Sequence, residues 1–305
     1  MSNNIPILFI VFNRPTITKK VFAEIKRYKP KKLFIAADGP RRDKEGERER
    51  CNEVRRIVEK IGWNCDVNRL YRNNNLGCKK SVSSAINWFF NNVEEGIILE
   101  DDCLPDVSFF KFCSDLLKKY RRNPKIMHIG SNNFQDGITR GNGSYYFSKY
   151  SHIWGWATWR RAWKKYKIDI KINDDKDKKT VRKKYSGFLE RVYWESLFWC
   201  VSNNLLNTWD LQWLYSIWLN NGICISPNKN LVINLGFGKS STHTKMANNT
   251  IRRVKLEHMG KIVHPKVISI SFDADQYTLR NAFGVSLKNL WRILSIIPYN
   301  IYKNI

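Results

Sequence analysis

The sequence has 305 residues, of which 43% are hydrophobic and 13% aromatic, and this content excludes a disordered or fibrous chain. At about 150 residues per domain, the length accommodates one large domain or two modest ones. The 53 Lys and Arg residues against 27 Asp and Glu give a formal net charge of +26. Such an excess favours an anionic partner, whether a nucleic acid, an anionic membrane or a phosphorylated substrate.

The apolar runs and the spacing of cysteines and histidines disfavour further classes of protein. No apolar run approaches the roughly 18 to 20 residues of a membrane span, and the first run, residues 5–12, is too short for a secretion signal and lacks a basic flank. The seven cysteines contain no Cys-x-x-Cys pair, and the five histidines contain no His-Glu-x-x-His motif. We therefore expect a cytoplasmic protein with reduced thiols, which is neither a zinc hydrolase nor disulfide-linked.

The first half of the chain alternates apolar strand patterns with helical patterns. The pattern predicts strands over residues 5–12, 32–37, 65–71, 96–99 and 126–129, and helices over residues 16–28, 47–61, 79–92 and 107–120. Such alternation implies right-handed crossovers, and hence an α/β fold with a Rossmann-like, mostly parallel sheet and helices on both faces. Ligands collect at the carboxyl ends of the strands in such a sheet.

From about residue 145 this alternation breaks down and tryptophan becomes frequent. Nine of the twelve tryptophans fall within residues 154–218. We predict helices over residues 190–203 and 210–220, and short strands over 223–226 and 231–234. Residues 160–184 carry twelve Lys and Arg against four Asp, so this segment and the polar residues 239–256 are predicted to be mobile surface segments.

Three consecutive carboxylates, Glu100, Asp101 and Asp102, follow the apolar residues 97–99. A buried strand that ends in this way is electrostatically unfavourable unless a cation binds among the carboxylates, and carboxylate oxygens suit Mg²⁺ or Mn²⁺. The alternative is a solvated acidic turn, or a helix N-cap before residues 105–120. In a chain with twice as many basic as acidic residues, we favour the cation site.

The acidic run and three downstream motifs resemble one family. Glu-Asp-Asp followed by Pro-Asp-x-x-Phe-Phe (residues 100–110) resembles the metal-binding motif of GT-A fold glycosyltransferases, in particular the N-acetylglucosaminyltransferase I type and related bacterial nucleotide-sugar transferases. Trp-Gly-Trp at 154–156 is similar to the family's Gly-x-Gly-Trp stretch, and residues 209–213 are similar to its Trp-Asp-Asp-Trp motif. Residues 236–243 resemble its Phe-Gly to Ser-His loop, with Thr for Ser. These matches keep the family's order.

The resemblance implies a role for each matching residue. Asp102 would be the direct ligand of Mn²⁺ or Mg²⁺, and Asp210 would be the catalytic base. The remaining matches would bind the nucleotide-sugar donor: Arg14, Asp38, Glu100, Asp101, Trp156, Lys239, Thr242 and His243. Among them, Asp38 would contact the base of a uridine nucleotide, and Glu100 and Asp101 would orient the sugar and ribose. Where the family has a second Asp this chain has Leu211, which weakens any inference about the sugar transferred.

The chemistry of sugar transfer requires the same groups. A cation must neutralise the charge that develops on the leaving diphosphate, and a carboxylate must accept the proton of the acceptor hydroxyl. Asp210 begins a helical pattern between Trp209 and Trp213, and its alternative role is a helix N-cap. Trp154 or Trp156 could stack on a sugar, whereas the helical spacing of the other tryptophans is typical of core packing.

Together these features predict a GT-A catalytic domain over residues 1–275, with a nucleotide- and metal-binding half (1–130) and an acceptor-side half (131–275). Residues 276–305 would form a basic amphipathic tail, which either lies on an anionic membrane surface, making the protein peripheral, or packs on the core.

We expect a metal-dependent inverting glycosyltransferase with a nucleotide-sugar donor and a surface-glycan or lipid-linked acceptor. Among donors, a UDP-sugar is the first candidate. We expect no nucleic acid as partner. The alternatives are a nucleic-acid-binding protein, a sugar nucleotidylyltransferase and a non-catalytic glycan-binding module. The acidic run argues against the first, and the absence of a Gly-rich loop after the first strand argues against the second.

Overall fold

The computed structural model describes residues 5–172, 174–236 and 254–289. The strands in chain order are β1 (Ile7–Val11), β2 (Lys32–Ala37), β3 (Asp66–Tyr71), β4 (Glu95–Glu100), β5 (Cys103–Pro105), β6 (Ile126–Gly130), β7 (Tyr145–Ser148), β8 (Trp156–Trp159), β9 (Ile223–Pro227) and β10 (Val232–Asn234). The helices are α1 (Pro15–Tyr28), α2 (Glu47–Val58), α3 (Gly77–Asn92), α4 (Val107–Tyr120), α5 (Arg160–Trp163), α6 (Asp175–Arg182), α7 (Phe188–Ser202), α8 (Asp210–Leu219) and α9 (Phe272–Asn281).

Eight of the strands form one sheet in the order β3-β2-β1-β4-β8-β6-β9-β7. β1 to β4 pair in parallel, β8 lies antiparallel to both of its neighbours, and β6 and β9 are again parallel. Only β8 and the edge strand β7 therefore run against the direction of the other six. β5 and β10 form a separate antiparallel pair beside the end of β4. The carboxyl ends of β1, β2 and β4 consequently lie at the same edge of the sheet.

Both faces of the sheet are covered by helices, and β1 shows why. Its five residues are all buried, and they alternate between two hydrophobic clusters: Phe9 packs in one and Leu8 in the other. Buried residues of α1 and α4 belong to the first cluster, while those of α3 and α8 belong to the second. Strand side chains alternate with a period of two, so a continuous apolar run needs cover on both sides. The predicted α/β class, with a Rossmann-like, mostly parallel sheet, is confirmed.

The sequence patterns missed elements in the second half. β7 and β8 were not predicted, because each has four residues and lies in a segment dominated by aromatic residues. Residues 160–184, predicted to be a mobile surface segment, contain α5 and α6 and bury Trp163, Ile170 and Val181. The dense charge in this segment concealed its widely spaced apolar positions. Of the other predicted mobile segment, only residues 254–256 lie within the described part.

The boundaries of the predicted halves and tail can be compared with the elements. The end of the predicted nucleotide-binding half coincides with the end of β6 at Gly130. The boundary predicted after residue 275 falls inside α9, where Thr278 is buried and bonded to Gln135 Nε2 over 2.8 Å. Of the predicted amphipathic tail, residues 276–305, the structure describes residues 276–289, which comprise the end of α9 and the short 3-10 turn Leu287–Asn289. The helices within the described part are too short or too polar to span a bilayer.

Candidate active site

The first strand leads directly to a basic side chain that faces two carboxylates. β1 ends at Val11 and α1 begins at Pro15, whose fixed φ suits the first helical position, so Arg14 occupies the N-cap position. Its Nη1 donates to Asp102 Oδ2 over 2.7 Å and to Asp101 Oδ1 over 3.2 Å. Burial acts to lower the pKa of Arg14, but the charges of the two carboxylates outweigh burial and raise it. The guanidinium is therefore held charged beside the acidic run.

The three carboxylates at the end of β4 repel one another. Glu100 is the last residue of the strand, and Asp101 and Asp102 form the turn before β5. Burial, followed by the charges of Asp102 and Asp101, raises the pKa of Glu100 well above its ordinary value. Burial and the charge of Asp102 raise the pKa of Asp101 to about 7, although the Arg14 charge and the Phe12 N–H oppose the rise. A cation bound here would relieve this repulsion.

The carboxylate of Asp102 fits the chemistry of Mn²⁺ or Mg²⁺, which prefer oxygen ligands. Within residues 5–172, 174–236 and 254–289, no three His, Cys, Asp or Glu side chains are grouped to hold a metal ion. The chain after β10 passes close to Asp102: Leu235 N–H donates to its carbonyl oxygen over 2.7 Å, and a Cβ on Gly236 would lie 2.5 Å from its Oδ2. A cation at Asp102 would therefore need further ligands from water or a bound diphosphate.

Asp38, directly after β2, holds two loops together. It is 7% exposed, and its Oδ1 accepts hydrogen bonds from the N–H groups of Gly39 and Leu76 over 3.0 and 3.1 Å. Asn75 Nδ2 donates to Asp38 Oδ2 over 3.0 Å and to the Gly39 carbonyl over 2.9 Å. Burial raises the pKa of Asp38, and these N–H groups oppose the rise. The predicted contact with a nucleotide base stays a prediction, but the carboxylate does lie at the expected edge of the sheet.

Asp210 approaches the acidic run from a distant part of the chain. It is the first residue of α8, it is half-buried, and Thr208 Oγ1 donates a hydrogen bond to its Oδ1. Trp209 occupies the N-cap position, so Asp210 is not the N-cap residue of the helix. After burial and the two neighbouring aspartates, the charge of Asp210 also raises the pKa of Glu100. The fold therefore brings Asp210 within electrostatic range of the acidic run.

A thiol that the sequence did not reveal lies among these carboxylates. Cys78 is in the first turn of α3 and is partly exposed. Burial, and then the charges of Glu100, Asp210, Asp38 and Asp102, raise its pKa to about 12. A lone cysteine has no sequence signature, and only its position beside strand-end residues could have singled it out.

The structure does not place Trp156 where a sugar could stack on it. Its ring is 0% exposed, packs in parallel on Trp209 with a centroid distance of 5.6 Å and contacts His128 on β6. The prediction that Trp156 binds the donor by stacking is therefore corrected, because β8 lies inside the sheet and turns this side chain into the core. Trp154 is half-buried, with its edge against Phe134. Lys239, Thr242 and His243 lie outside the described residues.

Comparisons with known proteins give only distant similarity. No protein-family model matches the chain, and no curated protein matches it. Among solved structures, HddC from Yersinia pseudotuberculosis is similar at 8% identity and a TM-score of 0.34, covering 56% of this chain and 84% of that one.

A cytidylyltransferase from Leptospira borgpetersenii is similar at 14% identity and a TM-score of 0.34, over 53% of this chain and 63% of that one. A 4-diphosphocytidyl-2C-methyl-D-erythritol synthase from Anaerococcus prevotii is similar at 11% identity and a TM-score of 0.35, over 57% and 81% of the two chains. Because every identity is below 25% and every TM-score below 0.5, none of these similarities supports a conclusion about function.

Proposed function

We propose that this chain is a metal-dependent inverting glycosyltransferase that moves a sugar from a nucleotide-sugar donor to a hydroxyl of a surface-glycan or lipid-linked acceptor. A UDP-sugar is the first donor to test. The observation that carries the proposal is the convergence of Asp210 and Glu100, whose carboxylates interact although they come from different halves of the chain. A base beside a cluster of strand-end groups is the arrangement that transfer to a hydroxyl requires.

The strand ends would bind the donor. Arg14 supplies a permanent positive charge for the diphosphate, and Asp102 would hold Mn²⁺ or Mg²⁺. When bound, the cation neutralises the charge that develops on the leaving diphosphate. Glu100 and Asp101 would orient the sugar and ribose, and Asp38 would face the base.

Asp210 would act on the acceptor. Its carboxylate accepts the proton of the acceptor hydroxyl while the hydroxyl oxygen bonds to the anomeric carbon of the donor sugar. The bond between that carbon and the diphosphate oxygen breaks, and the nucleoside diphosphate leaves with the electron pair. A single displacement of this kind inverts the configuration at the anomeric carbon.

The alternative reaction on the same kind of substrate is nucleotidyl transfer, which releases pyrophosphate. It normally needs a glycine-rich loop after the first strand to hold a nucleoside triphosphate. Here only residues 12–14 separate β1 from α1, and none of them is glycine. The connection therefore favours the glycosyltransferase.

Donor binding is the first test. Thermal unfolding is measured with a panel of nucleotide sugars, with and without Mn²⁺. A donor at about 100 times its Kd should stabilise the protein by about 2.7 kcal/mol. We expect one donor to stabilise in a Mn²⁺-dependent manner; no shift with any donor would contradict the proposal.

The role of Asp210 is tested by Asp210→Asn. The variant should lose about 10²- to 10⁴-fold in transfer, because no group then accepts the acceptor proton, while donor binding stays unchanged. Asp273→Asn is the matched control, since Asp273 is an exposed carboxylate in the first turn of α9. Full activity of Asp210→Asn would assign the base to another residue, and release of pyrophosphate would assign the chain to nucleotidyl transfer.

A further inference from the structure

Trp199, on the last turn of α7, differs from the neighbouring tryptophans. The rings of Trp156, Trp163, Trp209 and Trp213 pack against one another in the core. Trp199 is half-buried, belongs to neither large hydrophobic cluster, and makes no aromatic ring contact within the described residues. A large aromatic face left partly open is therefore available for a ligand.

This ring lines a pocket of about 520 Å³, within the usual range for small-molecule sites. The segment that leads into α6 forms one wall, and the end of α7 forms the other. The lining combines three apolar or aromatic side chains with four polar or charged ones: Ile170, Lys171, Ile172, Asp174, Trp199, Ser202 and Asn203. Asp174 Oδ1 already accepts the N–H of Asp177, and Ser202 Oγ and Asn203 Nδ2 donate to the Trp199 carbonyl. The lone pairs that these groups retain, together with the Lys171 ammonium, match sugar hydroxyls.

Lys79 connects the start of α3 to the residues that flank the pocket. The Lys79 ammonium lies 3.2 Å from Asp169 Oδ1 and 3.2 Å from Asn204 Oδ1. These two residues precede and follow the pocket residues Ile170 and Asn203 directly in the sequence. Lys79 lies in the first turn of α3, which also contains Cys78, so it connects this turn to the residues that flank both walls of the pocket.

The pocket wall that the end of α7 forms is held in place by the way this helix ends. Asn204 adopts a left-handed conformation with φ of 56°, and Leu205 N–H donates to the Cys200 carbonyl over 2.9 Å. Together with the bond from Asn204 N–H to Val201, these contacts form a Schellman motif, which ends the helix abruptly. The chain then runs through residues 205–209 to Asp210. Asp210 therefore follows the pocket residue Asn203 by seven positions in the sequence.

We propose that this pocket is an acceptor subsite that binds a pyranose unit of the glycan, with the sugar face against Trp199. The identification of the ligand as acceptor rests on the proposed function, whereas the binding of a sugar does not. The lining carries one ammonium, Lys171, and one carboxylate, Asp174, whose charges cancel, so the subsite favours a neutral glycan.

The test measures direct binding of two oligosaccharides, tetragalacturonic acid and cellotetraose, by isothermal titration calorimetry. We expect wild-type protein to bind the neutral cellotetraose more tightly, and Trp199→Ala to weaken this binding by about tenfold or more. Trp199→Phe should retain part of the affinity. Phe188→Ala is the control, since Phe188 is a 63% exposed aromatic residue at the other end of α7.

Lys171→Glu provides a second variant, at an exposed position where a folding defect is not expected. It should weaken binding of tetragalacturonic acid and leave cellotetraose unaffected. The inference is overturned if neither oligosaccharide binds the wild type, or if folded Trp199→Ala binds as the wild type does. Donor-induced stabilisation is measured on the same samples. Sugar binding without donor binding contradicts only the proposed function, and donor binding without sugar binding contradicts only the subsite.

Discussion

The backbone N–H of Lys79 donates to Asn207 Oδ1 over 3.0 Å, which joins the first turn of α3 to the loop that ends at Asp210. The same turn is fastened on its other side to Asp38, through the Leu76 N–H. The start of α3 thus links Asp38, on the predicted nucleotide side of the site, to the loop that leads to Asp210, the predicted catalytic base. We therefore expect the position of Asp210 relative to Asp38 to depend on this link.

Replacing Asn207 should therefore affect turnover and leave donor binding intact. Since a displacement of about 1 Å can cost about 10²-fold in rate, we expect Asn207→Ala to lower kcat by about 10- to 100-fold at unchanged donor KM. Asn207→Asp keeps the acceptor oxygen and should retain most of the activity. Equal effects of both variants, or a change confined to donor KM, would argue against a positioning role.

Asp102 should determine the metal dependence of donor binding. We expect Asp102→Asn to remove the Mn²⁺-dependent part of the donor-induced thermal shift, because the metal loses its carboxylate ligand. Asp115→Asn, which disrupts only a surface ion pair with Lys111, should behave as the wild type. The unfolding temperature of each variant, measured with donor, with Mn²⁺ and with EDTA, distinguishes the two variants. A full Mn²⁺ effect in Asp102→Asn would place the cation elsewhere.

Gly39 is required by close backbone packing beside Asp38. A Cβ at this position would lie 2.4 to 2.6 Å from backbone atoms of Asn74. Gly39→Ala should therefore cost about 1 to 3 kcal/mol in the free energy of unfolding and should separate the two loops that Asp38 joins. In Gly62→Ala the added Cβ would meet no atom within 4 Å, so this variant is the control. Urea unfolding measures both, and equal stability of the two variants would contradict the predicted clash.

The buried imidazole of His128 should make stability depend on pH. Burial lowers its pKa to about 3; Trp213 Nε1 donates to its Nδ1 over 3.2 Å, and its Nε2 bonds to the His152 carbonyl. Below pH 6.5 the unfolded chain gains a proton on this group that the folded protein does not, so acidification favours unfolding. Between pH 7 and pH 5 the loss is about 2 kcal/mol.

The measurement is the difference in unfolding free energy between the wild type and His128→Gln at the two pH values. The two proteins are compared because Asp101, which is present in both, has a pKa raised to about 7. Protonation of Asp101 favours the folded protein as the pH falls, which opposes the effect of His128 on stability. This contribution cancels in the difference between the wild type and the variant. The advantage of the wild type should shrink by about 2 kcal/mol at pH 5. A constant difference would show that His128 can be protonated in the folded protein.

The α/β class and the presence of charged residues at the strand ends could be predicted from the sequence alone. Runs such as residues 32–37 and helices such as 107–120 were predicted with the bounds that the structure has, because their periodicity is a local property. The common location of Arg14, Asp38 and the acidic run could be predicted because each lies at, or within three residues of, the end of a buried strand, and strand ends meet at one edge of a parallel sheet.

Which of these groups meet could be seen only in the folded structure. It inserted β8 between β4 and β6, which buried Trp156, and it left Trp199 half-exposed, although both tryptophans belong to the same aromatic-rich stretch. It also brought Asp210 within reach of Glu100. Contacts between residues so far apart depend on the pairing of strands and on the packing of helices, which local periodicity does not encode.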